Sequence, residues 1–177
     1  MNALDGGKLK VLVIEDNQHF RLLIRTVLQT LGIDDVLEAK DGGDALRQLQ
    51  HYRADFVIVD WKMEPMDGIG FAHKLRRGAD SPNPFLPIIM VTGYSEAALV
   101  AEARDAGVNE FLAKPISAKS LVGRITSVIS APRQFIHCED YFGPDRRRRR
   151  LPFVGLDRRQ TACDYLDGDD SGDDELS

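Results

Sequence analysis

Five residues carry chemistry in this chain, and each directly follows a short, mostly apolar run. Glu15 and Asp16 come after Val11-Leu12-Val13-Ile14, and Asp60 after Phe56-Val57-Ile58-Val59. Thr92 follows Ile88-Ile89-Met90-Val91, and Lys114, with Pro115 behind it, follows the weaker run Glu110-Phe111-Leu112-Ala113. Three carboxylates brought together repel one another, and a cation offsets that cost. Carboxylate and carbonyl oxygens suit a hard divalent ion, and Mg2+ typically keeps waters and joins protein carboxylates to a phosphate. Lys114 and Thr92 then supply a positive and a neutral donor to the equatorial oxygens of a phosphoryl group. A carboxylate nucleophile in that setting yields an aspartyl phosphate. One acid at the end of an apolar run is usually a helix cap or a solvated loop residue; the combination is what carries the signal. No glycine-rich phosphate loop is present, so a bound nucleotide is not indicated.

The elements that must position these residues are legible in outline. The first three runs are continuously apolar and rich in β-branched residues, the pattern of parallel strands covered on both faces. A more polar run around Asp35 to Ala39 suits an edge strand. Between the runs lie helical patterns. The clearest sets Phe20, Leu23, Ile24, Val27, Leu28 and Leu31 on one face, with Asn17 as N-cap and Gly32 as terminator. Others cover roughly 43–51, 68–77, 96–106 and 118–129. Strand and helix alternate five times, which predicts a doubly wound α/β domain with right-handed crossovers. Ligands of such sheets bind beyond the carboxyl ends of the strands, where the five residues stand.

Residues 8–130 resemble the receiver domain of two-component response regulators, of the chemotaxis-regulator type. The matching stretches are Val13-Ile14-Glu15-Asp16-Asn17, Val59-Asp60-Trp61-Lys62-Met63 with Met66-Asp67-Gly68, Val91-Thr92-Gly93, and Phe111-Leu112-Ala113-Lys114-Pro115. The resemblance implies a flavodoxin-like, five-stranded parallel sheet in the order 2-1-3-4-5 with five helices. It implies that Asp60 is the phosphorylation site, and that Asp16, Asp60 and the backbone carbonyl of Lys62 bind Mg2+ directly, with Glu15 acting through water. Thr92 and Lys114 are then the catalytic donors, Thr92 and Phe111 the switch pair, and Lys114–Pro115 a cis peptide. The implied partners are a sensor histidine kinase or a histidine phosphotransfer protein, and an unidentified downstream protein. The expected output is a change of protein contacts on the face made by helix 4, strand 5 and helix 5, or onward relay of the phosphoryl group. The protein is expected to be a phosphoacceptor rather than an enzyme, apart from intrinsic self-phosphorylation and aspartyl-phosphate hydrolysis. A phosphatase-type hydrolase using an aspartyl nucleophile normally has a second aspartate two residues on, and position 62 is Lys. Two details depart from the family: Glu64 stands between Met63 and Pro65, and Phe111 lacks a tyrosine's hydroxyl, so a switch there rests on packing. Lys62 and Tyr94, flanking the site, are read as limiting the access of hydrolytic water, whereas the small Gly93 leaves room for it.

The 177 residues allow one ordinary domain and a short extension. No apolar run approaches the roughly 20 residues of a membrane span, and residues 1–9 do not read as a signal peptide; the expected location is the cytoplasm. Cys138 and Cys163 are accordingly read as reduced thiols, and the four histidines as surface residues. Charge is balanced up to residue 130. Residues 131–163 then hold eight arginines against four acids, and residues 164–177 hold seven acids and no base. That asymmetry separates the domain from residues 131–177, an Arg-rich then Asp-rich tail read as extended or partly disordered. Residues 1–7 are a short N-terminal extension. The tail is too short for a typical DNA-binding or catalytic domain and is read foremost as a protein-docking or autoinhibitory segment. The alternative is that its arginine run binds nucleic acid to regulate transcription, since clustered cations release counterions there; the acidic end competes with that role. Residues 78–87, with Pro82, Pro84 and Pro87, read as an extended connection of no evident chemistry.

Overall fold

The computed structural model describes residues 9–93, 97–146 and 164–166. Five parallel strands, β1 (Lys10–Ile14), β2 (Asp35–Ala39), β3 (Phe56–Asp60), β4 (Ile88–Thr92) and β5 (Glu110–Ala113), form one sheet in the order β2-β1-β3-β4-β5. Five helices alternate with them: α1 (Gln18–Thr30), α2 (Gly42–Leu49), α3 (Gly68–Arg77), α4 (Ala97–Asp105) and α5 (Ala118–Ser130). The sheet has this form because its central strands carry apolar side chains on both faces. Val11, Val13, Phe56, Ile58, Ile89 and Val91 pack with α1 and α5, whereas Leu12, Ile14, Val57, Val59, Ile88 and Met90 pack with α2, α3 and α4.

Local chemistry sets the helix ends. Asn17 Oδ1 accepts from the backbone N–H groups of His19 (3.0 Å) and Phe20 (3.2 Å), satisfying donors that the first turn of α1 leaves open. Gly32, beyond its end, adopts φ +79°, a left-handed conformation that favours glycine. Asp67 caps α3 by accepting from Gly70 N at 2.7 Å, and Ser117 and Ser120 close a reciprocal capping box on α5. One residue of the expected α1 stripe departs from it. Leu23 is 46% exposed, because the buried line of that helix runs through Ile24 and Leu28.

After α5 the described residues form three further strands. β6 (Phe135–Cys138) and β7 (Tyr141–Pro144) make an antiparallel hairpin, and β8 (Asp164–Leu166) pairs with the other side of β6. The hairpin docks where β4 and β5 begin. Phe135 and Phe142 meet Phe85 edge-on at centroid separations of 5.1 and 5.3 Å, and Arg146 pairs with Asp105 at the end of α4 (3.1 Å). The connection at 78–87 is therefore a docking platform. The reading of the cysteines as reduced thiols is corrected as well: Cys138 is disulfide-bonded. The return of β8 alongside β6 brings distant chain back to this edge, a pairing that the spacing of the two cysteines does not reveal. Cys163, Arg147–Arg150 and the Asp-rich end from Asp167 lie outside the described residues, as does Tyr94. Among the described residues, no helix is long and apolar enough to cross a membrane.

Candidate active site at the carboxyl ends of the strands

The sheet register assembles the site. Ile14 pairs with Val59 on β1 and β3, so Glu15 and Asp60 leave neighbouring strands side by side. Asp60 pairs with Val91 on β4, and Thr92 with Ala113 on β5, which brings Thr92 and Lys114 to the same rim. Lys114 N donates to Thr92 O at 2.8 Å, fixing the turn into the cis Lys114–Pro115 peptide. A second cis peptide, Glu64–Pro65, lies in the loop after β3, where the sequence gives no sign of it.

Lys114 is the hub. Its Nζ stands 2.7 Å from Asp60 Oδ1 and 3.3 Å from Glu15 Oε2. Glu15 and Asp60 are both buried, and so is Thr92, whereas Asp16 is exposed. Burial pushes the Glu15 carboxyl above the usual carboxylate range, and the nearby Asp60 charge pushes it the same way; the Asn17 N–H and Lys114 oppose this without reversing it. Burial alone would lower the Lys114 pKa, but the hydrogen bond and charge of Asp60, and then Glu15, outweigh it and hold the ammonium in its charged form. One cation thus serves two buried carboxylates, with Asp16 at the same strand end.

The second Asp60 oxygen, Oδ2, accepts from Lys62 N at 3.1 Å. Behind it, Gly68 opens α3 and donates to Trp61 O at 3.0 Å. A side chain at Gly68 would collide with the Asp60 carbonyl, so glycine is required for the helix to approach the Asp60 backbone. Arg21 ties α1 to the opposite side of the site, donating to Glu15 O at 2.6 Å and pairing with Glu38 at 3.0 Å.

The donor set fits a hard cation in kind: hard oxygens and more negative charge than Lys114 balances. Among the described residues, however, no three His, Cys, Asp or Glu side chains converge on one cation-sized point. Lys114 lies between Glu15 and Asp60 in their place. Phe111, on β5, is partly buried against the α2–α4 side of the core. Phe20 joins the site without having been singled out by its sequence pattern. Its ring centroid is 4.1 Å from Lys114 Nζ, although in the sequence it is only one member of an apolar stripe.

Comparison with known proteins bears on the family and the fold. The family model described as the response regulator receiver domain matches residues 11–126. Chemotaxis protein CheY-3 of Vibrio cholerae is 33% identical over 128 residues, covering 72% of this chain and 97% of that protein. Among solved structures, Vibrio cholerae chemotaxis protein CheY4 superposes with a TM-score of 0.62 at 30% identity, covering 68% of this chain and 98% of that one. The receiver domain of a sensor histidine kinase from Pseudomonas aeruginosa, with a magnesium ion coordinated in its active-site cleft, gives a TM-score of 0.62 at 26% identity, covering 70% of this chain and 98% of that domain.

Proposed function

Because the chain belongs to the response regulator receiver domain family, we propose that Asp60 accepts a phosphoryl group from the phosphohistidine of a sensor histidine kinase or a histidine phosphotransfer protein. The single observation that carries this reading is the contact between the Lys114 ammonium and the buried Asp60 carboxylate, 2.7 Å apart at the carboxyl rim of the sheet. An Asp60 oxygen attacks phosphorus, the P–N bond breaks, and its electron pair leaves on the imidazole ring. Lys114 stays within reach of the transferred group and pairs with one of its oxygens, while the Thr92 hydroxyl donates to another. Asp16, Asp60 and the Lys62 carbonyl would hold Mg2+, with Glu15 through water, and the ion would supply charge balance for the phosphoryl oxygens.

The output follows from where the donors sit. Thr92 ends β4, and Phe111 lies on the neighbouring β5, paired with Met90 and packed against the core. New charge-assisted bonds to Thr92 bias a two-state packing of Phe111, and the face made by α4, β5 and α5 presents the change to a downstream protein. A cytoplasmic site of action fits a kinase-fed switch. Incubation with a small-molecule phosphoryl donor and Mg2+ tests the reading: the wild type gains one phosphoryl group by intact mass, and Asp60→Asn gains none. Capture of a downstream protein only by the phosphorylated form marks an effector. Onward transfer to a histidine phosphotransfer protein marks a carrier.

A further inference from the structure

We propose that Phe20 is a positioning residue for Lys114, acting through the face of its ring. The proposal rests on the reading of Asp60 as phosphoacceptor and names what keeps the ammonium in place during transfer.

Lys114 Nζ points to three things: Asp60 Oδ1, Glu15 Oε2 and the Phe20 ring, with its centroid 4.1 Å away. A cation over an aromatic face within about 6 Å is attracted by the ring quadrupole. The backbone that presents the ring is pinned on both sides. Phe20 N is bonded to the Asn17 cap at 3.2 Å, and the next residue, Arg21, is anchored to Glu15 O at 2.6 Å and to Glu38 at 3.0 Å. The ring is therefore held by α1 independently of the turn after β5, which carries the lysine. It is also partly buried against the core cluster shared by α1 and α5, so it cannot swing freely away.

This arrangement meets a specific need. Lys114 sits at the end of a flexible four-carbon stem and is 29% exposed, so water competes for its ammonium. When Asp60 takes on a phosphoryl group, the ammonium must move from a carboxylate oxygen to a phosphoryl oxygen nearby without retreating into solvent. A wall that attracts cations but offers no competing acceptor limits that retreat. An aliphatic side chain would fill the same space without the attraction.

The test uses the full chain and compares initial rates of phosphorylation by acetyl phosphate with Mg2+. Phe20→Leu keeps bulk and loses the aromatic face; Phe20→Tyr and Phe20→Trp keep the face; Phe20→Met is a milder variant should Phe20→Leu fold poorly. Uptake is followed by intact mass, and by fluorescence of Trp61, the chain's one tryptophan, next to Asp60. The expected result is a loss of about threefold to tenfold for Leu and Met, with rates near wild type for Tyr and Trp. Leu and Met rates equal to wild type overturn the proposal. So does an equal loss in all four variants, which marks a purely steric role. Asp60→Asn separates the two readings. If that variant still takes up phosphoryl groups at the wild-type rate, the assignment of Asp60 fails; if it is inert while Phe20→Leu is unaffected, only the role of Phe20 fails.

Discussion

Two cations stand at opposite ends of the same sheet, and their surroundings differ in kind. Lys114, at the carboxyl rim, is held by the carboxylates Asp60 and Glu15. Arg76, on α3, is buried where β4 and β5 begin and donates to oxygens that carry no formal charge: Gly107 O (3.0 Å), Pro84 O (2.6 Å), Leu86 O (2.9 Å) and Asn109 Oδ1 (3.0 Å). Its guanidinium also lies 5.1 Å from the Phe135 ring centroid, within the docked hairpin. Burial pushes its pKa down to about 9, still above neutral pH, so it remains charged. Arg76 has rigid acceptors matched to its fork of donors and welds α3, two strand starts and the hairpin together. Lys114 is a point charge among a surplus of negative oxygens, several of which can turn to a new ligand. A cation whose acceptors are fixed builds structure; a cation shared between two carboxylates is available for chemistry.

Truncating the two side chains is the strongest way to break this contrast. Arg76→Leu should cost about 3–5 kcal/mol of stability, because four acceptors, three of them in buried bonds, lose the guanidinium together. Denaturant unfolding measures it, and phosphorylation per folded molecule should stay near wild type. Lys114→Ala should do the reverse. Its unfolding midpoint should fall by less than that of Arg76→Leu, because the partly exposed ammonium leaves Glu15 and Asp60 within reach of water, while phosphoryl uptake falls on the order of 100-fold or more. Equal losses of stability from the two substitutions would erase the distinction.

A smaller effect is expected at Gly68, where an added methyl meets the Asp60 carbonyl. Gly68→Ala should destabilise by about 1–3 kcal/mol and slow phosphorylation as well, since relief of the clash must move the backbone of Asp60. A variant with wild-type stability and rate would show that α3 does not set the position of Asp60.

The smallest effects lie in pH dependence, where two carboxylates of the same pole should act with opposite sign. Burial pushes the Glu38 carboxyl up, but the hydrogen bonds and charges of Arg21 and Arg25 outweigh it, leaving the pKa below 4.5. Its contribution to stability is present above the unfolded value and lost as pH falls through the lowered folded value. Glu15 is raised, so its contribution is full below 4.5 and lost as pH rises through the raised folded value. In metal-free protein at neutral pH, Glu15→Gln should therefore raise the thermal midpoint slightly, whereas Glu38→Gln should lower it. A fall in both would contradict the account of excess negative charge around Lys114.

Much of the carboxyl-rim pole is legible in the amino-acid sequence, and little of the opposite pole is. The β-branched runs ending at Ile14, Val59 and Val91 dictate buried parallel strands, and strand topology then gathers whatever follows them. That is why position alone picks out Glu15, Asp60, Thr92 and Lys114. It does not pick out Arg76. In sequence this is one of three basic residues in the last turn of α3, with Lys74 and Arg77, where solvated cations are ordinary. Its burial comes from chain that arrives from elsewhere: the 78–87 excursion, the turn at Gly107 and the β6–β7 hairpin. The hairpin is hidden for the same reason, since its strands are four residues each and find their partners by docking rather than by pattern. Phe20 is visible as a core-facing residue but not as a partner of Lys114, because helical spacing reports a face and says nothing of a cation above it.

The most direct test of the central claim locates the phosphoryl group itself. Full-length protein is phosphorylated with Mg2+ present, the acyl phosphate is trapped by borohydride reduction, and the modified peptide is sequenced by mass spectrometry. The account predicts modification at Asp60 alone, in the peptide containing Phe56 to Lys62, and its loss when Lys114 is replaced by alanine. Modification at Glu15, Asp16 or any other carboxylate, or undiminished modification of Asp60 in the Lys114→Ala protein, would contradict it.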